Sequence, residues 1–181
     1  MSVEIRIATS ADAVAACAVL RRSITECCLP DHRNDPAILD AWLGNKTAPM
    51  VAGWFASSTN YCLVALDGEQ IVGVALLTRA GKICLCYLLP ESQGRGIGRA
   101  LLQRMELQAS AWDIKTLQLH STVSAERFYA RQGYLRSGMV KASYGADALL
   151  CWKDLGASAG GDSAAAGADP RRKRFCKCNS A

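Results

Sequence analysis

Residues 83–98 read Ile83-Cys84-Leu85-Cys86-Tyr87-Leu88-Leu89-Pro90-Glu91-Ser92-Gln93-Gly94-Arg95-Gly96-Ile97-Gly98. Positions 83–89 are apolar throughout, as a strand covered on both faces would be. Residues 90–98 are a polar, glycine-rich connection, and 97–111 places Ile97, Leu101 and Met105 on one face of a helix. A strand, alternating glycines and a helix start leave main-chain N–H groups and the positive end of a helix dipole at the turn, which suits a phosphate. Glycines let the backbone pass close to a ligand without a Cβ in the way. The turn lacks Gly-x-x-x-x-Gly-Lys-Ser/Thr, so it is no P-loop. Gly94-x-Gly96-x-Gly98 also differs from the Gly-x-Gly-x-x-Gly of a dinucleotide half-domain.

Upstream, residues 61–66 and 71–78 are β-rich runs flanking Asp67-Gly68, an antiparallel hairpin signal. Ala80-Gly81-Lys82 turns the chain into the 83–89 strand. Before the hairpin, residues 3–8 alternate apolar and charged, and Thr9-Ser10-Ala11-Asp12 has the capping-box pattern that starts a helix. Ala13, Cys17, Leu20, Ile24 and Cys28 give that helix its core face, and Pro30 opposes its continuation. Asp35-Pro36 starts a second helix carrying Ile38, Leu39, Trp42 and Leu43, with Gly44-Asn45 as its stop. Residues 50–57 suggest a third, short one. Downstream come a strand at 116–120, a helix at 122–132 ended by Gly133, and strands at 134–141 and 148–153 joined near Tyr144-Gly145. The order β-α-α-β-β-β-α-β-α-β-β predicts an α/β domain with a mixed central sheet flanked by helices.

The 181 residues suit one domain, and 50% hydrophobic with 20% charged residues can sustain its core. That domain is expected over residues 1–155. Residues 156–181, rich in Ala, Gly and Ser with a basic end, read as a flexible tail. Formal net charge is +5, of which the tail's Arg171, Arg172, Lys173, Arg174 and Lys177 carry a large share. Specific nucleic-acid binding is therefore not expected, while an anionic small molecule is compatible. No apolar run approaches the roughly 20 residues of a membrane span, and the first residues lack a signal-peptide plan, so a cytoplasmic protein without membrane contact is expected. The nine cysteines are odd in number. Cys17, Cys62, Cys84 and Cys86 sit in apolar patterns and read as reduced core thiols. Neither Cys84-x-Cys86 nor Cys176-x-Cys178 has the spacing of a zinc knuckle, and no metal is expected.

The segment Gln93-Gly94-Arg95-Gly96-Ile97-Gly98 resembles the pyrophosphate motif Gln/Arg-x-x-Gly-x-Gly/Ala of the GNAT superfamily of acyl-CoA-dependent N-acyltransferases, in a bacterial-type form. A second element agrees: Ala125-Glu126-Arg127-Phe128-Tyr129-Ala130-Arg131-Gln132-Gly133-Tyr134 is similar to Ala-x-x-x-Tyr-x-x-x-Gly-Phe/Tyr. The resemblance covers about residues 3–153. It implies acetyl-CoA as cosubstrate in a V-shaped opening between the fourth and fifth strands. Pantetheine would pair near Leu88, and Gln93, Gly94, Arg95, Gly96, Ile97, Gly98 and Arg99 would hold the pyrophosphate. Many relatives carry Asn seven residues before the Tyr, where this chain has Thr122, whose hydroxyl cannot reproduce the donor and acceptor pair of an amide.

By the same resemblance Tyr129 is the general acid for the departing thiolate, since a phenol is protonated at neutral pH. The base is open among residues near the acceptor side. His32, in the Asp31–Asp35 cluster, has suitable chemistry, and Glu26 and His120 are weighed beside it. The function implied is N-acetyl transfer to an amine-bearing acceptor by direct attack in a ternary complex. A CoA-binding regulatory protein without turnover and an RNA- or protein-partner module are the competing readings. A homodimer is compatible with the sequence.

Overall fold

A computed structural model describes residues 3–156. The expected tail falls outside the described residues beyond Gly156, as do Cys176 and Cys178. One seven-stranded sheet runs in the order β1-β2-β3-β4-β5-β7-β6. The strands are β1 (Val3–Ile7), β2 (Asn60–Asp67), β3 (Gln70–Thr78), β4 (Lys82–Leu88), β5 (Thr116–Ser121), β6 (Leu135–Lys141) and β7 (Asp147–Asp154). Pairing is antiparallel except between β4 and β5, so the sheet is mixed, as expected.

Helix α1 (Ala13–Cys27) follows a single 3-10 turn, Ser10–Asp12. Asp12 accepts the Thr9 backbone N–H at 2.8 Å and also binds both nitrogens of the Arg6 fork, which ties the helix start to β1. Ala13, Cys17, Leu20, Ile24 and Cys28 are all buried, so the expected core face is the observed one.

The segment between β1 and β2 holds one helical turn more than the three helices expected. Pro30 does not leave the chain irregular; it lies in the first turn of α2 (Leu29–His32), where its missing N–H costs nothing. Helix α3 (Pro36–Leu43) is capped by Asp35, which accepts from Ala37 N at 2.9 Å. Helix α4 (Ala48–Ala56) starts two residues before the expected 50, because Thr47 caps it.

Helices α1 and α4 pack on one face of the sheet and α5 (Ile97–Ala111) on the other, the two layers enclosing Leu63, Leu76, Leu85, Leu101 and Met105. Helix α6 (Glu126–Arg131) is much shorter than the expected 122–132. Thr122 accepts the Ala125 N–H at 3.2 Å with its own side chain, which holds residues 122–125 as a turn.

Candidate active site

Strands β4 and β5 pair at only two positions, Lys82 with Gln118 and Ile83 with Leu119. Beyond these they part. The cause lies partly in β4: where β3 advances one residue, from Leu76 to Leu77, β4 runs from Leu85 to Ile83, so Cys84 is the extra residue of a bulge. A bulge bends its strand, and β4 leaves β5 at that point. Hence the apolar run is not covered on both faces as its sequence suggests: Cys84, Cys86, Tyr87 and Leu88 remain half-buried along a gap. The gap holds a cavity of about 50 Å³ bordered by Cys86, Tyr87, His120, Thr122 and Tyr129.

The last residues of β4 face alternate sides. Leu88 points toward α5 and α6, since a Cβ on Gly98 would meet both Leu88 and Phe128 at about 3.5 Å. Cys86 shares that side with Tyr129, and the two groups influence each other's protonation across the gap they both border. Tyr87 points the other way, into a cluster of Ile24, Cys28, Trp42 and Tyr144.

Above the gap, Gly94 and Gly96 have φ of 73° and 81°, and nothing lies within 4 Å of where a Cβ would stand on either. Gln93, Arg95 and Arg99 are exposed around them, and Ile97 is buried as the first residue of α5. The amides at the start of α5 belong to a helical turn with no intrahelical acceptors. This main chain therefore has both the room and the donors for an anionic group lying against it. Arg95 donates to Asp67 of β2 at 2.6 Å, which fixes its guanidinium beside the turn.

The description "Acetyltransferase (GNAT) domain" matches residues 36–149. The chain belongs to the GNAT acetyltransferase family. Among solved structures, a GCN5-related N-acetyltransferase from Rhodopseudomonas palustris is similar with a TM-score of 0.75 at 22% identity, over 85% of this chain and 96% of that one. The PaiA N-acetyltransferase from Thermoplasma acidophilum, in complex with coenzyme A, gives 0.71 at 19%, over 85% and 99%. The ribosomal-protein-S18-alanine N-acetyltransferase from Escherichia coli gives 0.64 at 15%, over 87% and 96%. None of the curated proteins compared matches the sequence.

Within this GNAT fold the two histidines occupy different settings. His32 is fully buried, its Nδ1 accepting the Asn34 N–H at 3.1 Å. Its Nε2 therefore carries the proton and faces the Thr25 carbonyl at 3.3 Å. With both nitrogens engaged by backbone, His32 has no lone pair to offer an acceptor, and its expected place as the base loses its motive. His120 instead borders the gap. Burial first, then the Lys82 ammonium, lowers its pKa below the ordinary histidine value, so its ring is neutral at pH 7.

Of the other members of that cluster, Asp35 caps α3, and Asp31 reaches further. Its carboxylate accepts Val123 N at 2.7 Å, Ser124 N at 3.3 Å and Ser124 Oγ at 2.6 Å, joining α2 to the turn that precedes α6. Nothing in the spacing of the sequence marks this contact, because 92 positions separate Asp31 from Val123. Glu26 pairs with Arg22 on the surface of α1.

Burial, then the neighbouring Cys86, Tyr87 and Tyr134, holds the Tyr129 phenol well above its ordinary pKa, so it keeps its proton. Burial pushes Cys86 up to about 12, which leaves a thiol rather than a nucleophilic thiolate. Among the described residues no group of His, Cys, Asp or Glu could hold a metal ion, and no helix is long and apolar enough to cross a membrane. A larger hollow of about 510 Å³ lies between α1 and the β2–β3 turn. Of its charged residues Arg6, Asp12 and Arg22 are paired and Glu69 is exposed, with no histidine, cysteine or tyrosine beside them.

Proposed function

We propose that this GNAT acetyltransferase moves the acetyl group of acetyl-CoA to the nitrogen of a primary amine by direct attack in a ternary complex. One observation carries the reading: below a glycine turn with open space against its main chain, β4 and β5 part, and the protonated Tyr129 borders the gap between them. Leu88, Gln93 and residues 94–99 bind the cofactor in this proposal, Arg95 adding charge to the pyrophosphate site and Thr122 offering its hydroxyl. The CoA side is that of α5 and α6, which leaves the opposite face of the gap to the acceptor.

The neutral amine attacks the thioester carbonyl, a C–N bond forms, and the C–S bond breaks as the tetrahedral adduct collapses. Tyr129 donates its proton to the leaving thiolate, and neutral His120 takes the proton released by the amine. The raised pKa of Tyr129 and the lowered pKa of His120 both put the required protonation state at pH 7. A buried protonated Cys86 supports direct attack over an acyl-cysteine intermediate.

The test mixes the purified chain with acetyl-CoA and primary amines, following free thiol and the gain of one acetyl group on the amine by mass. Equal amounts of thiol and acetylated amine are expected. CoA binding with no acetyl transfer to any amine, peptide or protein lysine would contradict the reading and favour a CoA-binding regulatory protein.

A further inference from the structure

The acceptor face of the gap has a composition that bears on the amine it takes. Tyr87 sits at its edge, packed against the cluster that holds Trp42. Tyr144, on the β6–β7 turn, stacks on Trp42 with ring centroids 4.2 Å apart and planes 10° from parallel. On the far side, His120 is paired across the sheet with Leu150, which is half-buried. Helices α1 and α4 pack against β2, β3 and β4, α3 reaches the β6–β7 turn through the Trp42–Tyr144 stack, and none of α1–α4 is in substantial contact with strands β5, β7 or β6. An acceptor can therefore approach over Leu150 and meet the aromatic wall on its other flank.

Charge around this approach is as informative as its apolar walls. Asp31 lies near Tyr144, but both its oxygens are engaged by residues 123 and 124. Asp147, at the start of β7, pairs with Lys141 at 2.8 Å. The charge acting on His120 is the Lys82 ammonium. A second or third cationic group on the acceptor would find no unengaged carboxylate in this set and would face a like charge.

Resting on the acetyl-transfer reading above, we infer that the acceptor is a small monoamine whose body is aromatic or branched aliphatic, held between Tyr87–Tyr144 and Leu150, and not a polyamine or aminoglycoside-like polycation. Aromatic faces and a leucine side chain reward burial of an apolar body, while discrimination against polycations comes from Asp31 and Asp147 being already engaged and from the Lys82 charge. The cavity at the gap itself has room for the amine and the acetyl group, so the body lies outside it against these walls.

The experiment uses the full chain with phenethylamine, isoamylamine, putrescine and spermidine at matched concentration, with acetyl-CoA affinity measured separately by calorimetry. The inference expects kcat/KM for the two apolar amines to exceed that for putrescine and spermidine at least tenfold. Leu150→Ser and Tyr144→Ser should each raise KM for phenethylamine about 5- to 10-fold with acetyl-CoA affinity unchanged. Faster acetylation of spermidine or putrescine would overturn the inference and leave the acetyl-transfer reading standing. So would a phenethylamine KM untouched by both substitutions, or a loss confined to acetyl-CoA affinity, which would give these walls to the cofactor. Leu150→Ser and the amine panel decide the matter if Tyr144→Ser fails to fold.

Discussion

Asp31 and Ser124 are joined carboxylate to hydroxyl at 2.6 Å across 93 positions of sequence, and the bond fixes the turn from which α6 carries Tyr129 to the gap. Helix α6 has only six residues, too few to hold itself, so its placement depends on such tertiary contacts. Asp31→Ala should cost about 1–2 kcal/mol of stability, discounted for the partial exposure of the site. It should lower kcat about tenfold with little change in acetyl-CoA affinity. Denaturant melts and steady-state kinetics check both; an unchanged kcat in the folded variant would show that α6 is placed without this bond.

Gly96 and Gly98 should respond differently to alanine. At φ of 81° a side chain on Gly96 strains the backbone by about 1–2 kcal/mol and projects into the open space against which a phosphate would lie. At Gly98, inside the first turn of α5, a Cβ meets Phe128 and Leu88 at ordinary contact distance. Calorimetry should therefore show acetyl-CoA binding weakened in Gly96→Ala and close to the parent in Gly98→Ala. Equal affinity in Gly96→Ala and parent, with folding confirmed, would remove this turn as the binding site.

Lys46 is 4% exposed, its ammonium bonded to Asn45 and 5.6 Å from the centre of the Trp54 ring. Burial lowers its pKa from 10.5 to about 8. Between these values the unfolded chain holds a proton that the folded chain has released, so stability rises with pH across that window. Lys46→Met should be more stable than the parent at pH 7 by about 2 kcal/mol and should lack the rise between pH 8 and 10.5. Thermal melts across that range check it.

His120 supplies a pH signature for the acetyl transfer. Because its pKa is lowered, the acid limb of kcat/KM should lie below the ordinary histidine value, with activity already on its plateau from that group at pH 7. His120→Gln should lose about 10²-fold in kcat/KM and lose that limb. A profile identical to the parent's would assign the proton to solvent.

Most of the fold could be read from patterns that act over one or two turns. The period-2 run at 3–8, the Asp67-Gly68 turn and the apolar face of α1 depend on neighbours in sequence, and the structure repeats them nearly residue for residue. The shortening of α6 and the extra turn α2 depend on Thr122 and Pro30 acting as local caps, which the apolar spacing does not encode. The proposed site draws on both near and distant parts of the sequence. The glycine turn and Tyr129 stand in contiguous motifs. The choice between His32 and His120 depends on which ring reaches the gap, and that follows from the Cys84 bulge and the parting of two strands, neither of which leaves a trace in residue spacing.

In the proposed acetyl transfer Tyr129 is the acid for a thiolate leaving in the gap between β4 and β5. Tyr129→Phe keeps the ring against Phe128 and Tyr134 and removes only the hydroxyl. Single-turnover acetyl transfer, with the enzyme saturated by acetyl-CoA, isolates the chemical step from product release. Acetyl-CoA affinity near that of the parent is expected, with a chemical step slower by about 10²–10⁴-fold. An unchanged single-turnover rate in the folded, saturated Phe variant would contradict it.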